Sequence, residues 1–314
     1  MNQPELSVVI PTYNRLDRLQ HVLPTLLNQT LAPEAYELVL ADSNSSDGTA
    51  DYVTALAREH PQRIRHLPGA YTSRAAARNA GIQAALGRTV LFTDADILAA
   101  ETLLERHARR QREAAGRAIA VVGCELQVTS LEDYRRQRDD ASARRPLHPA
   151  SRQRLSWLYF LTGNASVQRE KLLEVGGFDE QFTGYGHEDL ELGYRLEKSG
   201  VEIFYDPEAV NFHWHPVPFA EQVGRMELAG VSTVRFYRKH PDFAVKAYLG
   251  MTPVSLALHS VLQAAAPLRR ALEKAGAQGS PRKNTWPYIA RQIAYQYHYV
   301  SGIKRALREP EAAQ

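Results

Sequence analysis

The feature that most constrains the fold of this chain is the segment from Thr89 to Asp96, which reads Thr-Val-Leu-Phe-Thr-Asp-Ala-Asp. Its first half is apolar, with β-branched and aromatic residues, and this is typical of a strand that is buried on both faces. It ends in two carboxylates, Asp94 and Asp96, separated by one residue. Ligands of open α/β sheets bind beyond the carboxyl ends of the strands. The segment therefore predicts a central strand that brings two carboxylates to a ligand-binding edge.

Two neighbouring carboxylates repel each other unless a cation lies between them. A divalent ion with oxygen ligands, Mn²⁺ or Mg²⁺, suits such a pair and is commonly shared with substrate phosphates. The alternative is an Asp-rich turn that merely closes a strand, because a lone Asp-x-Asp motif is weak evidence. Two earlier strand-like runs also end in polar residues, namely Thr12 with Tyr13 and then Asp42. This coincidence favours a ligand site.

Short apolar runs alternate with segments of helical periodicity through the first part of the chain. Strands are expected at 6–10, 36–41 and 63–67, and helices at 15–28, 50–60 and 73–86. Such alternation with short connections predicts a parallel, doubly wound α/β sheet. Further along, we expect a helix over 100–115, a strand over 118–125, and separate strands over 201–205 and 210–216.

The net charge of +3 over 314 residues conceals two differently charged parts. Up to Pro216 there are 24 Lys and Arg residues against 29 Asp and Glu, a net charge of −5. From Val217 onward there are 14 against 6, a net charge of +8. We therefore expect a first domain over 1–216 and a basic helical extension over 217–314. Because no zinc finger or RNA-binding signature accompanies the basic residues, no nucleic-acid partner is expected.

Cysteine content and hydropathy bear on the compartment. The single cysteine, Cys124, excludes an internal disulfide and a cysteine zinc site, which fits a reducing cytosol. The first residues lack the basic and apolar regions of a signal peptide. No stretch is expected to reach the roughly 18 apolar, uncharged residues of a membrane span. A cytoplasmic location is the expectation, with attachment to the inner face of the membrane as an alternative.

Several motifs, taken in order, resemble those of family 2 glycosyltransferases with the GT-A fold. They cover much of residues 5–216 and lie at 7–15, 39–49, 77–81, 93–96, 176–179 and 187–191. The part from Gly176 to Glu191 is similar to the acceptor half of galactosyltransferase and chondroitin-polymerase-type enzymes. The resemblance implies a doubly wound mixed sheet, with a nucleotide-sugar half over 1–125 and an acceptor half over 155–216.

The resemblance also implies a site for a nucleotide-diphospho-sugar. Tyr13 would lie against the base, and Asp42 would accept a hydrogen bond from an imide N–H. This favours a uridine nucleotide, and a thymidine nucleotide stays an alternative because thymine offers the same imide. Arg78 would lie near the diphosphate, where an arginine fork suits phosphate oxygens, and Asp94 near the ribose. The implied residues are Pro11, Thr12, Tyr13, Arg15, Asp42, Asn44, Arg74, Arg78, Asp94 and Ala95.

For the metal, the resemblance implies Asp96 as one ligand and a histidine well downstream as another. His213 and His215 both match that place and point the same way if they lie on a strand. Which of the two would bind is open. The ion, Mn²⁺ or Mg²⁺, would neutralise the leaving diphosphate.

The acceptor side is expected around the motif Gly-Tyr-Gly-His-Glu-Asp. Asp189 is predicted to be the base that takes the acceptor proton, and the dipole of the helix starting there is expected to keep it ionised. Glu188 would assist it or bind an acceptor hydroxyl, while Tyr185 and Gly186 would contact the sugar. These roles imply inverting transfer to a glycan or to a lipid-linked acceptor.

Two segments allow two interpretations each. Residues 128–153 are predicted to be a mobile loop with one helical turn over the site, or a disordered insertion. The apolar face of the extension would pack on the catalytic core, or would anchor the protein to anionic lipid. That face comprises Leu256, Leu258, Val261, Leu262, Ala265, Leu268 and Leu272, and an aromatic-rich final helix begins near Trp286.

Two other functions are compatible with parts of this pattern. A nucleotide-sugar binding module without turnover would need no base, so the pair Glu188 and Asp189 argues against it. A nucleotidyltransferase shares the Asp-x-Asp motif, but it should carry a Gly-rich basic loop after the first strand. Pro11-Thr12-Tyr13-Asn14 is not such a loop.

Overall fold

A computed structural model of the chain describes residues 3–144, 146, 153–278 and 284–309. The chain divides into two compact units. The first unit consists of Met1–Thr183 and Glu188–Pro216, and the second of Gly184–His187 and Val217–Gln314. The short piece 184–187 is thus the part of the acceptor motif that belongs to the second unit.

The first unit is built around one mixed sheet. Its strands are β1 (Leu6–Thr12), β2 (Tyr36–Asp42), β3 (Ile64–Pro68), β4 (Thr89–Phe92), β5 (Ile97–Ala99), β6 (Ile119–Gln127), β7 (Arg154–Leu155), β8 (Ala165–Gln168) and β9 (Glu202–His213). The order across the sheet is β3-β2-β1-β4-β8-β6-β9-β5, and β7 pairs with β9. Strands β1 to β4 are parallel, whereas β8 runs antiparallel to β4 and β6. The expectation of a mixed α/β sheet is confirmed.

The helices of the first unit follow the strands. They are α1 (Leu16–Leu27), α2 (Thr49–Glu59), α3 (Arg74–Ala84), α4 (Leu103–Glu113), α5 (Leu131–Asp139), α6 (Arg169–Glu174) and α7 (Glu188–Lys198). Helix α3 lies so close to β1 that a Cβ at Gly81 would overlap the side chain of Val9. Gly81 therefore brings α3, with Arg78 one turn earlier, directly onto the central strands.

Two predicted boundaries in this unit are wrong, and both errors come from long-range pairing. Residues Ile97–Ala99 form β5, which pairs with the end of β9, and α4 begins only at Leu103. The two strands expected over 201–216 are one strand, β9, that ends at His213. A register shift opposite Gly123 and Cys124 absorbs the irregular middle of β9, so the strand stays continuous.

The segment expected to be a loop contains a regular helix, α5. Its N-terminus is capped by Ser130, whose side chain accepts a hydrogen bond from the Asp133 amide at 3.1 Å. Tyr134 is buried and packs edge-on against Phe212 of β9, with ring centroids 5.0 Å apart. The prediction of a single helical turn is therefore wrong for 131–139. Arg145 and residues 147–152 lie outside the described residues.

The second unit is helical. It contains α8 (Phe219–Lys239), α9 (Phe243–Tyr248), α10 (Pro253–Ala264), α11 (Ala266–Gly276) and α12 (Trp286–Arg308). The single apolar face expected over 256–272 is split between α10 and α11. Pro267, in the first turn of α11, lacks an amide hydrogen and cannot continue the hydrogen bonds of α10. Leu262 and Leu272 are buried, while Leu258, Val261 and Leu268 are exposed.

The length and hydropathy of the helices in this unit bear on whether they could span a membrane. Among the described residues, no single helix is long and apolar enough to cross a membrane. One pair, Phe243–Ala264 with Ala266–Gly276, meets the length and composition requirement only when joined, and the pair is bent by 100°. The sequence expectation did not anticipate this pair.

Helices α8 and α12 pack through two glycines. A Cβ on Gly230 would overlap the carbonyl oxygen of Tyr299, and a Cβ on Gly302 would overlap that of Glu227. The close approach buries Val234 and Ile303 in the core of the second unit. Only glycine permits this helix separation, because backbone atoms occupy the space of any side chain.

We predict opposite effects for two glycine-to-alanine changes in the second unit. Gly302→Ala forces α8 and α12 apart and should lower the free energy of unfolding by about 1–3 kcal/mol. Gly224→Ala is the control, because its Cβ would meet no atom within 4 Å; it should raise stability by up to about 1 kcal/mol, since alanine is the better helix former. Urea denaturation followed by circular dichroism measures both, and equal effects would contradict the packing role.

Candidate active site

The predicted nucleotide residues lie at one edge of the sheet because the parallel strands end nearly level. Thr12, the last residue of β1, is paired with Asp42, the last residue of β2. Strand β4 lies on the other side of β1, and the Thr93 amide donates to the Val9 carbonyl at 3.3 Å. The turn Thr93–Asp96 therefore starts beside β1.

The loops after β1 and β2 hold each other in place. The side-chain oxygen of Asn14 accepts from the Ser46 amide at 2.8 Å, and Ser45 Oγ accepts from the Asn14 amide at 2.8 Å. Asn14 and Asn44 both adopt left-handed backbone conformations, with φ of 49° and 55°. Tyr13 and Arg15 are exposed at the rim of this pair of loops. The aromatic face of Tyr13 is therefore open to a base.

Asp42 is fully buried beneath these loops. Its carboxylate accepts a hydrogen bond from Ser45 Oγ, and His66 Nε2 lies 3.6 Å from Asp42 Oδ2. The Asp42 carboxylate thus stabilises the loop in this conformation. Contact between this carboxylate and a base would require Ser45 to move. The part of Asp42 in base recognition stays a prediction.

Arg78 is the most buried cation of the site, with 1% of its surface exposed. Its guanidinium donates to Asp94 Oδ1 at 2.8 Å and to Glu188 Oε1 at 3.3 Å. Arg74, one turn earlier on α3 and exposed, lies 3.3 Å from the same Glu188 oxygen. The structure therefore places Arg74, and not Arg78, where a cation faces solvent.

Asp96 and the two downstream histidines form one cluster. His213 Nε2 lies 3.5 Å from Asp96 Oδ1, and His215 Nδ1 lies 3.1 Å from Asp96 Oδ2. The pairing of β5 with β9 creates this arrangement, because Ile97 lies opposite His213 and the Trp214 amide donates to the Asp96 carbonyl at 2.9 Å. The structure brings all three predicted metal ligands together.

The Asp96 carboxylate and the His213 imidazole each stabilise the charged form of the other. Burial tends to raise the pKa of Asp96, but hydrogen bonds and charges from His213 and His215 outweigh it and lower that pKa well below its usual range. Burial likewise works against a charged His213, yet Asp96 and Glu125 raise its pKa to about 10. The carboxylate of Asp96 is therefore ionised at neutral pH.

Glu125, near the end of β6, is a site residue that the sequence reasoning missed. Its Oε1 lies 3.1 Å from His213 Nδ1 and accepts from Gln127 Nε2 at 2.9 Å. A carboxylate on the second nitrogen of a metal-binding histidine fixes the orientation of the ring. The sequence feature that could have indicated Glu125 was its position at the end of the strand predicted over 118–125.

This donor set suits a divalent ion that is completed by substrate oxygens. Within the described ranges, no three His, Cys, Asp or Glu side chains form a ready-made metal site. Mg²⁺ and similar ions are commonly held by one or two protein ligands together with substrate phosphates. A carboxylate and an imidazole, Asp96 with His213 or His215, meet that requirement.

The acceptor residues are divided between the two units. Tyr185 and Gly186 belong to the second, where Ser232 Oγ donates to the Tyr185 carbonyl at 3.1 Å and Arg225 lies 5.2 Å from the Tyr185 ring centroid. Glu188 and Asp189 belong to the first and open α7. The acceptor roles of these residues remain predictions.

The start of α7 does not keep the pKa of Asp189 low, as the helix dipole was expected to do. Although the Leu190 amide donates to Asp189 Oδ1 at 2.8 Å, burial and then the charge of Glu188 raise the pKa of Asp189 above its ordinary value. Loss of hydration and a like charge thus outweigh the helix start.

Comparison with known proteins agrees with this architecture. The sequence profile of "Glycosyl transferase family 2" matches residues 7–177, and that of "N-terminal domain of galactosyltransferase" matches residues 147–214. The chain belongs to glycosyl transferase family 2. The family expected from the motifs is thereby confirmed, together with the resemblance of the second half to galactosyltransferases.

Among curated proteins, this family 2 chain is 34% identical over 284 residues to validoxylamine A glucosyltransferase of Streptomyces hygroscopicus subsp. limoneus. That match covers 79% of this chain and 60% of the relative. Chondroitin synthase of Escherichia coli is 26% identical over 273 residues, covering 76% of this chain and 39% of that protein. The chain thus spans about three fifths of the first relative's length and less of the second.

Solved structures confirm the GT-A fold. A mannosyltransferase of Pyrobaculum calidifontis in complex with GDP-Man and Mn²⁺ superposes with a TM-score of 0.65 at 23% identity, covering 99% of this chain and 89% of that one. Residues 1–349 of TarS from S. aureus, in complex with UDP, give a TM-score of 0.54 at 14% identity, with coverage of 97% and 91%.

We predict that Arg78 and Arg74, which share one Glu188 oxygen, differ sharply in their contribution to stability. Arg78→Ala leaves two carboxylates without their buried cation and should lower the free energy of unfolding by about 3–5 kcal/mol. Arg74→Ala is the matched control and should cost at most about 1 kcal/mol, because the Arg74 side chain is exposed to solvent and Glu188 keeps Arg78 as its buried partner. Urea denaturation compares them, and equal losses would show that Arg78 is not the central cation.

Proposed function

We propose that this protein transfers a sugar, with inversion and with the help of Mn²⁺ or Mg²⁺, from a nucleotide-diphospho-sugar to an acceptor hydroxyl. The acceptor is a glycan or a lipid-linked molecule. The observation that carries the proposal is the cluster of Asp96, His213 and His215 at the sheet edge where the nucleotide residues end. Family membership and the metal in the mannosyltransferase complex support it.

For the donor, the proposal uses the exposed groups around the strand ends. Tyr13 stacks on the base, and Arg15 and Arg74 supply cations that are open to solvent. Asp42 can accept a hydrogen bond from a uracil imide once the Ser45 side chain has moved away from the carboxylate, which favours UDP over GDP. Solved relatives contain GDP-Man in one case and UDP in another, so this assignment rests on Asp42.

For the metal, we propose Asp96 and His213 as the protein ligands. Glu125 holds the Nδ1 side of His213, which leaves Nε2 directed toward Asp96. The raised pKa keeps this imidazole protonated in the metal-free protein, so its Nε2 proton would be released on metal binding. When bound, the ion neutralises negative charge on the leaving diphosphate.

For the acceptor, Asp189 is the proposed base. A carboxylate whose pKa is raised toward neutrality is a better proton acceptor than an ordinary aspartate, provided that it is ionised at the working pH. It takes the proton of the acceptor hydroxyl while the oxygen bonds to the anomeric carbon and the diphosphate leaves. One displacement inverts the anomeric centre, so an α-linked donor gives a β-glycoside. Glu188 stays paired with Arg78 and Arg74.

The metal assignment predicts a graded loss of Mn²⁺-dependent UDP binding. Asp96→Asn should abolish the dependence on Mn²⁺, and His213→Gln should weaken binding more than the matched His215→Gln. Glu125→Gln should weaken Mn²⁺ binding by about 10–100-fold, because the ring loses its fixed orientation. Calorimetry with UDP and GDP, with and without Mn²⁺, measures all of these. Binding unaffected by EDTA would exclude the metal role, and tighter binding of GDP would exclude a uridine donor.

The base assignment predicts that Asp189→Asn lowers kcat by about 10²–10⁴-fold, while UDP binding is unchanged. In the unaltered enzyme, kcat should fall as the pH drops through the raised pKa of Asp189, because protonation removes the base. NMR of the product should show a β-glycoside from an α-linked donor. An α-glycoside, or near-normal turnover by the variant, would contradict the mechanism. Donor binding without any turnover would favour a binding module.

A further inference from the structure

Helix α10 carries its apolar residues on both sides. One side, with His259 and Leu262, is buried, and Leu262 packs with Leu272 and Ala290. The adjoining side presents Val254, Leu258 and Val261, which follow one another at helical spacing and are 77%, 53% and 62% exposed. A surface helix normally turns polar residues outward. The exposed apolar residues of α10 are therefore unusual for a helix side that contacts only water.

The helices before and after α10 continue this character. In α9, Phe243 is 85% exposed and Tyr248 is 67% exposed, and in α11 Leu268 is 53% exposed. We call these six exposed side chains of α9, α10 and α11 the apolar face: Phe243, Tyr248, Val254, Leu258, Val261 and Leu268. Large exposed apolar patches mark sites of contact with protein or membrane.

The charges around the apolar face indicate its partner. Residues 247–268 contain no Asp, Glu, Lys or Arg, whereas Lys246 precedes them and Arg269 and Arg270 follow. Lys246, Arg270 and Lys274 are exposed. Burial lowers the pKa of His259, the one titratable imidazole within the segment, so it adds no charge at neutral pH. An uncharged segment with basic residues at both ends matches an anionic lipid surface.

The bend between α10 and α11 indicates how lipid would be contacted. The two helical stretches reach membrane length and composition only together, and they meet at 100°. A bent pair with one side buried in its own unit suits insertion into the interface better than a straight crossing. We propose that the apolar face docks into the headgroup and acyl boundary of an anionic lipid bilayer. Where it rests on the proposed sugar transfer, this docking favours a lipid-linked acceptor over a free glycan.

The test is flotation of the full chain with vesicles of phosphatidylcholine, alone or mixed with phosphatidylglycerol. The protein should float with the anionic vesicles, more weakly with neutral ones, and less as salt is added. Leu258→Ser with Val261→Ser should weaken binding at least about tenfold, because two inserted side chains are lost. The control, Leu86→Ser with Leu173→Ser, changes two exposed leucines of the first unit and should float like the unaltered protein.

A second pair of variants tests the basic residues. Arg270→Gln with Lys274→Gln should reduce the preference for anionic over neutral vesicles while leaving some binding through the apolar face. Calorimetry of UDP with the Leu258→Ser, Val261→Ser protein should give the unaltered affinity, which separates a failure of docking from a failure of the proposed function.

Three results would overturn the proposal. The unaltered protein could fail to float with either vesicle, or the control could lose binding as much as the apolar-face variant. Light scattering could also show a dimer that becomes a monomer when Leu258 and Val261 are changed, in which case a second copy of the chain covers the face.

Discussion

The first unit depends on one buried cation, Arg78. Its guanidinium joins Asp94, at the end of the central strand, to Glu188, at the start of α7, two residues far apart in sequence. Helix α3 can deliver this group only because Gly81 lets it lie against β1. Buried carboxylates are costly without a partner, so this interaction sets where the donor turn and the acceptor helix meet. A guanidinium suits the task because its planar fork addresses two acceptors at once.

Strand pairing at the edge of the sheet assembles the cluster of Asp96, His213 and Glu125. Strand β5 is only three residues long, yet its antiparallel register with β9 puts Asp96 beside His213. The parallel pairing of β6 with β9 then brings Glu125 to the other side of the same imidazole. The His213 imidazole thus lies between two carboxylates, Asp96 just before β5 and Glu125 on β6, and these contacts fix the orientation of its ring.

The second unit is held together by close packing of its helices. Gly230 and Gly302 allow α8 and α12 to approach until backbone nearly touches backbone, and Val234, Met251, Ile303 and Ala306 form the core beside them. Helices α10 and α11 bury Leu262 and Leu272 on the inner side. The apolar residues left over face outward, flanked by basic ones. The net charge of +8 in this region is consistent with an anionic partner.

The sequence by itself determined a doubly wound α/β fold, because buried strands and helix periodicity are written in neighbouring residues. The family and the mixed character of the sheet followed from the resemblance of the sequence motifs. The resemblance also placed Asp96 and the two histidines in one expected site. Only the tertiary structure decided that Glu125 holds His213, that Asp42 is buried under Ser45, that 131–139 is a helix, and which leucines of the extension face outward. Burial also raised the pKa of Asp189 against the effect expected of the helix start. Each of these depends on partners distant in the chain, which local patterns do not encode.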